Sequence, residues 1–357
     1  MHQTRWSFDV DVVGRCNLSC PSCPVGNMSG TPLQTGYMQP EFLDKIVAKA
    51  TSECRVTNFA LYNWTEPFIH PHLAKMIHIV KSYGIGCDIS TNLNLNKQID
   101  SVLSANPDTI KISVSGYRQE HYGITHRGGD IEVVKENMKI LSESKRRQKS
   151  NTRIIVLFHR YLENQQEEVD MRKFAEVLGF DFTTYWAYLM PLEKNLAFLG
   201  YKERLPKFEA SDQALVDRLA LPLSEALQVV RNTQSSECKL RDQQMAINSN
   251  GNVMLCCSVF DQSRYTLAPF LDTPLNELQE MKNSHEMCTK CMNEGLHVLM
   301  TYGDKKLEEL AIENVRKHYP DANVDTMYGR KKNFKKQLKS FKRIVTKAIS
   351  ERVTFSD

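Results

Sequence analysis

The sequence predicts an α/β fold on a parallel sheet of six strands, followed by a smaller cysteine-rich segment and a basic helical tail. Three observations lead there. Short runs rich in Val, Ile, Phe and Thr alternate with amphipathic stretches of helix length from residue 8 to about 187; seven of ten cysteines fall into two groups; and the run 330–347 carries no acid. Strands joined by helical crossovers make a parallel sheet, either open and doubly wound or curled toward a barrel.

The strands are expected at Phe8–Val13, Val56–Tyr62, Ile85–Ser90, Thr109–Ser115, Arg153–Phe158 and Phe182–Ala187, short enough for buried parallel strands. Helices are expected near 41–50, 73–83, 97–104, 130–144 and 168–178, with Asn106-Pro107-Asp108 and Gly179 as breakers after two of them. The connection from Gly14 to about Tyr37 is long for a strand-to-helix loop and carries Cys16, Cys20 and Cys23. In barrel-type folds such loops, at the C-terminal ends of strands, build the active site.

Residues 209–232 read as an amphipathic helix through Leu215, Leu219, Leu223, Leu227 and Val230, kinked or broken at Pro222. Met245 to Cys256 reads as a hairpin turning at Asn250-Gly251. It brings Cys238 and Cys256 together, and Cys288-Thr-Lys-Cys291 follows a helical stretch near 274–283. The expected segments are 1–208 for the core, 209–300 for a linker helix and cysteine-rich unit, and 301–357 for the tail.

Composition narrows the classes. The 357 residues are 41% hydrophobic and 25% charged, ordinary for a folded protein, and a net charge of +4 is too mild for a whole-molecule nucleic-acid clamp. No apolar run is long enough to span a bilayer, and the first residues lack the apolar core of a signal peptide, so a cytoplasmic location is expected. In a reducing compartment the cysteines are metal ligands, catalysts or core residues sooner than disulfides. Cys54 and Cys87, beside or within strands, read as core.

Cys16-Asn-Leu-Ser-Cys20-Pro-Ser-Cys23 supplies three local thiolates. A [4Fe–4S] cluster takes four ligands, so three leave one iron open. A zinc site is the alternative, although zinc spacings favour paired C-x2-C.

On these residues the chain resembles the radical S-adenosylmethionine superfamily, over residues 8 to about 190 and onward into the cysteine-rich part. The resemblance implies a partial (β/α)6 TIM-like barrel, with a [4Fe–4S] cluster held by the three cysteines and S-adenosylmethionine. An electron from a donor such as flavodoxin or ferredoxin then cleaves the sulfonium to methionine and a 5′-deoxyadenosyl radical, which takes hydrogen from an unactivated carbon. Ser22 stands where many members place an aromatic residue near adenine.

Tyr62-Asn-Trp-Thr-Glu-Pro67 is similar to the family's Gly-Gly-Glu-Pro segment, which implies that Glu66, helped by Thr65, accepts from the amino group of S-adenosylmethionine; Trp64 and Thr65 replace the glycines. A helix-start carboxylate before Pro67 is the plainer reading of Glu66. Ser90 and Asn92 at the end of the third strand, with Ser113 and Ser115 at the end of the fourth, resemble positions contacting the ribose or methionine carboxylate; ordinary caps are the alternative. His159-Arg160 is expected to reach that carboxylate or an anionic substrate, or to be a solvated basic pair. Arg127-Gly-Gly129 is a weak substrate-loop candidate.

Cys238, Cys256, Cys288 and Cys291 make a complete set of four, resembling a single-cluster SPASM/twitch extension with a second, auxiliary [4Fe–4S] cluster; a zinc ribbon is the alternative. Cys257 is spare. It is either a hydrogen-atom donor to a substrate radical, a small buried cysteine, or the true ligand in place of Cys256. In 330–347, Phe334, Leu338, Phe341 and Val345 recur at helical spacing, so a basic helix packs on its own domain or makes peripheral membrane contact.

The expected function is hydrogen abstraction from a small polar substrate, a sugar or amino-alcohol, with net oxidation. Redox-neutral epimerisation with Cys257 as donor comes next. Peptide or protein side-chain maturation is third, because the first strand begins near residue 8 and leaves no room for an N-terminal peptide-recognition domain. A non-enzymatic iron–sulfur or zinc scaffold is the remaining class, and no nucleic-acid partner is expected.

Overall fold

The computed structural model describes residues 5–28, 36–201, 205–233, 236–301, 303–322 and 324, so the basic run 330–347 lies outside the described residues. Six strands pair in parallel in sequence order: β1 (Arg5–Val10), β2 (Arg55–Ala60), β3 (Gly86–Thr91), β4 (Thr109–Val114), β5 (Arg153–Arg160) and β6 (Asp181–Trp186). The first strand starts three residues earlier than expected and ends at Val10, which leaves Asp11 at the strand's C-terminal end, in the site.

Period-two alternation sorts the side chains. Phe8, Phe59, Ile89, Ile110, Ile112, Val156 and Phe158 are fully buried in one apolar core with the helices Pro40–Glu53, Leu73–Ser82, Ile99–Ser104 and Ile131–Gln148. The alternate positions, among them Ser90, Lys111, Ser113, Leu157, His159, Thr183 and Tyr185, line a cavity on the other face. Only a closed or strongly curled sheet leaves such a polar interior, and the architecture is that of a partial barrel. The helix Gln119–Thr125, not expected from the sequence, inserts between β4 and the helix Ile131–Gln148.

The hairpin β7 (Gln244–Ile247) and β8 (Asn252–Met254) forms as the Asn-Gly signal predicts, with Gly251 at φ +80°, the left-handed region that favours glycine. It is not a separate sheet. β7 pairs in parallel with β1, Ser7 against Gln244, and β9 (Thr266–Pro269) completes a nine-stranded order β6-β5-β4-β3-β2-β1-β7-β8-β9. The cysteine-rich segment is therefore stitched to the open edge of the barrel at its first strand.

Pro222 breaks the 209–232 stretch into two helices, Ala210–Val216 and Leu223–Arg231. Leu215, Leu219, Leu223, Leu227 and Val230 are buried in a second core with Leu255, Met287 and Leu299. The helix Lys305–His318 buries Leu307, Ala311, Ile312 and Val315 in that core, so the described start of the tail segment packs on the protein. Among the described residues no helix is long and apolar enough to cross a membrane.

Candidate active site

Cys16, Cys20 and Cys23 follow β1 at the C-terminal face of the sheet and line one cavity of about 520 Å³. Their loop is built by local bonds. The Cys23 amide donates to the Cys20 carbonyl at 3.0 Å, Pro24 starts the short helix Pro24–Asn27, and the Leu18 amide donates to Cys16 Sγ at 3.4 Å. Gly26 packs directly on the loop: a Cβ there would stand 2.2 Å from the Cys20 carbonyl oxygen. No side chain fits.

Arg127 holds the loop from across the barrel. Its Nε donates to the Ser19 carbonyl at 3.0 Å, its Nη2 to the Gly26 carbonyl at 2.9 Å, and its own carbonyl accepts from the Ser19 amide at 2.9 Å. Within the 127–129 substrate-loop candidate, the guanidinium is thus spent on the cysteine loop. Arg127→Met should loosen that loop by about 1 kcal/mol, since the side chain is exposed and screened. The expected readout is roughly fivefold faster iron loss to a chelator.

The donor set fits an iron–sulfur cluster. Burial pushes the Cys16 thiol up to about 11 and Cys20 up to about 12, with Cys23 raised well above the ordinary value, and neighbouring thiolates add to the rise at Cys20 and Cys23. Three soft sulfurs that resist ionisation together are stabilised as thiolates only by a cationic partner.

Glu66 lies fully buried on the cavity wall. One carboxylate oxygen accepts from the Phe68 amide at 3.0 Å, as a cap on the turn Pro67–Ile69, and the other accepts from the Asn92 amide at 2.8 Å. Burial raises its pKa to about 7. The cap reading and the cavity placement thus hold together. The Asn92 side chain bridges onward, 3.0 Å from Asn17 Oδ1 and 3.8 Å from Cys16 Sγ, so Glu66, Asn92 and the first cysteine form one connected wall.

Asp11, unmarked by any motif, organises this wall. Its Oδ1 accepts from the amides of Asn63, Trp64 and Thr65 at 3.0 to 3.1 Å and from Thr65 Oγ1 at 2.6 Å. The Thr65 hydroxyl is therefore bound to Asp11. Trp64 Nε1 donates to the Val259 carbonyl at 3.0 Å, tying the same segment to the cysteine-rich part.

Ser90 and Ser113 line the cavity with their hydroxyls 3.3 Å apart. Ser115 is not on the cavity wall: its hydroxyl is bound to Thr125 Oγ1 and, at 2.6 Å, to His126 Nδ1, and these two residues line the cavity instead. Arg160 needs the same correction. It is 1% exposed, its guanidinium pairs with Glu168 at 2.6 and 3.0 Å over the Trp186 ring, and it does not line the cavity. His159 does line it, but burial drops its pKa to about 4, so it meets the Tyr185 hydroxyl at 3.0 Å as a neutral ring. Neither residue is a solvated cation. The positive charge on the wall comes from Lys111, whose Nζ donates to the Tyr62 hydroxyl at 2.9 Å and lies 3.6 Å from Asp88.

Tyr161 reaches Ser22, hydroxyl to hydroxyl, at 3.2 Å. An aromatic residue thus arrives beside the third cysteine from the loop after β5.

Cys238, Cys256, Cys288 and Cys291 come together around a second, small cavity lined otherwise by Leu and Met side chains, Arg241, Ser258 and His297. Cys238 caps the helix Lys239–Asp242, and Cys288 and Cys291 sit one turn apart on the helix Glu286–Asn293. Cys257 lines neither cavity. β8 ends at Met254, before the two neighbours, whose side chains are hydrogen-bonded to each other and differ in their other partners. Cys256 Sγ accepts from the Ser258 amide at 3.4 Å, whereas the Cys257 thiol donates to Gln244 Oε1 at 3.2 Å, and Gln244 Nε2 donates to Asp9 at 2.5 Å. Cys87 is buried in the core and Cys54 half-buried against it.

The comparisons with known proteins agree with this geometry. Residues 10–171 match the family model of the Radical SAM superfamily. Among solved structures, Streptococcus suis SuiB bound to S-adenosylmethionine is similar over 81% of this chain and 68% of its own, at 12% identity and a TM-score of 0.55. AnSMEcpe with bound AdoMet is similar over 89% of this chain and 100% of its own, at 16% identity and a TM-score of 0.54. No curated protein matches. The chain carries the domain of the radical SAM superfamily, an enzyme superfamily, and that domain calls for a [4Fe–4S] cluster and S-adenosylmethionine.

Proposed function

We propose that this chain is a radical SAM enzyme that removes hydrogen from a carbon of a small polar substrate, of the sugar or amino-alcohol kind, with net oxidation. The carrying observation is the cavity itself. It runs from Cys16, Cys20 and Cys23 into a barrel interior lined by Tyr62, Ser90, Lys111, Ser113, His159 and Tyr185, a mixed set of donors and acceptors suited to hydroxyl and amino groups. Cys16, Cys20 and Cys23 would hold the cluster, whose bound S-adenosylmethionine supplies the radical chemistry. Glu66 and Asn92 would orient the amino and carboxylate groups of that cofactor, with Ser90 and Ser113 beside it.

Cys238, Cys256, Cys288 and Cys291 would hold an auxiliary [4Fe–4S] cluster that receives the second electron of an oxidation, which a redox-neutral reaction does not need. Flavodoxin or ferredoxin is the class of donor for the first electron. The peptide reading draws support from neighbours: SuiB has been solved bound to precursor peptide SuiA, at 12% identity and a TM-score of 0.54, and anSMEcpe with a Cp18Cys peptide, at 17% and 0.50.

Anaerobic reconstitution with dithionite and S-adenosylmethionine tests the proposal. The expected result is 5′-deoxyadenosine, increased by a sugar or amino-alcohol library and matched by an oxidised product. Intact clusters without 5′-deoxyadenosine would sink the enzymatic reading. Stimulation by peptides alone would replace the small-molecule one.

A further inference from the structure

Lys282, on the helix Leu275–Ser284, is one of the few charged side chains that is almost wholly enclosed, at 1% exposure. Its Nζ donates to the carbonyls of Leu240, at 3.1 Å, and Gln244, at 2.6 Å. Leu240 belongs to the helix that Cys238 caps and itself lines the four-cysteine cavity. None of the described ion pairs includes Lys282. Asp242, a carboxylate in its field, is committed to the Arg241 guanidinium at 2.7 and 3.2 Å and to the Cys238 amide at 3.3 Å.

Its other partner is the Trp6 ring, whose centroid lies 6.0 Å from Nζ. A buried ammonium that meets only neutral carbonyls and an aromatic face still costs several kcal/mol. Such a charge is kept where an anion completes it. Burial works against the Lys282 charge and lowers its pKa, and the neighbours that would favour the charge, as thiolates, are Cys256, Cys257, Cys288 and Cys238. As thiols they offer it no charge. Four thiolates around an iron–sulfur core more than offset the charge of the core, so the centre is anionic and becomes more so on reduction.

We infer that Lys282 is the built-in counter-cation of an iron–sulfur centre held by Cys238, Cys256, Cys288 and Cys291, and that it raises the reduction potential of that centre. Arg241 is not equivalent, because Asp242 neutralises it. The inference rests on the auxiliary-cluster reading above and adds a positioning residue outside the ligand set. A higher potential makes the centre a better acceptor for an electron leaving a substrate radical.

The test uses the full chain with Cys16, Cys20 and Cys23 replaced by alanine, so that only the second centre contributes iron and signal. Its midpoint potential is read by dithionite titration with mediators, alone and with Lys282→Met or Lys282→Arg. Lys282→Met should make reduction at least tenfold less favourable, a fall of about 59 mV for one electron. Lys282→Arg should stay near the parent. An unchanged potential in Lys282→Met overturns the inference while leaving the auxiliary cluster in place. No cluster in the parent chain overturns the auxiliary-cluster reading beneath it. If Lys282→Met loses the cluster but Lys282→Arg keeps it, charge is what assembly requires and the inference stands; if both lose it alike, shape is the cause and it falls.

Discussion

Replacing Cys16, Cys20 or Cys23 by alanine should abolish 5′-deoxyadenosine formation and lower bound iron from about eight to about four atoms per chain. Each of the three thiols borders the cavity, and the loop that carries them is specified by the Cys23–Cys20 backbone bond, by Gly26 and by Arg127. Loss of one sulfur therefore leaves the other two in place but one thiolate short of the set. Two protein ligands and an exposed iron edge do not retain a cubane through purification. The checks are iron and sulfide counting after anaerobic reconstitution, and chromatography for 5′-deoxyadenosine. Serine at the same positions should fail in the same way, because a hydroxyl remains protonated where a thiolate is required. Retention of cleavage activity in any of these variants would move the cluster off this loop.

The part of this site legible in the sequence was the part carried by local pattern. Alternating Val, Ile and Phe runs marked five of the strands within two residues at their N-terminal ends, because burial on one face imposes period two over a short span. The cysteine spacing was legible because three ligands within eight residues must share a loop. Asp11 and Arg127 were not, since their partners are backbone groups of residues 63–65 and of Ser19 and Gly26, which no spacing in the chain announces. Arg160 misled for the opposite reason. A basic pair after a strand looks solvated until Glu168, on the next helix, closes over it. Cys256 and Cys257 lay at the limit of what alternation can say, and the ladder ends before it reaches them.

That limit makes the pair the second decisive measurement. Cys256→Ala should lower iron from about eight to about four per chain while 5′-deoxyadenosine formation survives, because the triad and its cavity wall are untouched. The oxidised product should disappear, since the electron from the substrate radical then has no acceptor. Cys257→Ala should leave iron at about eight and product formation within about twofold of the parent, the usual size of a change away from reacting groups. Cys256 borders the small cavity with Cys238, Cys288 and Cys291, whereas Cys257, though hydrogen-bonded to Cys256, does not border it and donates to Gln244. An epimerase requires the reverse outcome for Cys257, with iron retained, one turnover of 5′-deoxyadenosine formed and no product released, because the substrate radical would lack its hydrogen donor. Deuterium from solvent in the product of the parent enzyme, lost in Cys257→Ala, would establish that route and exclude net oxidation.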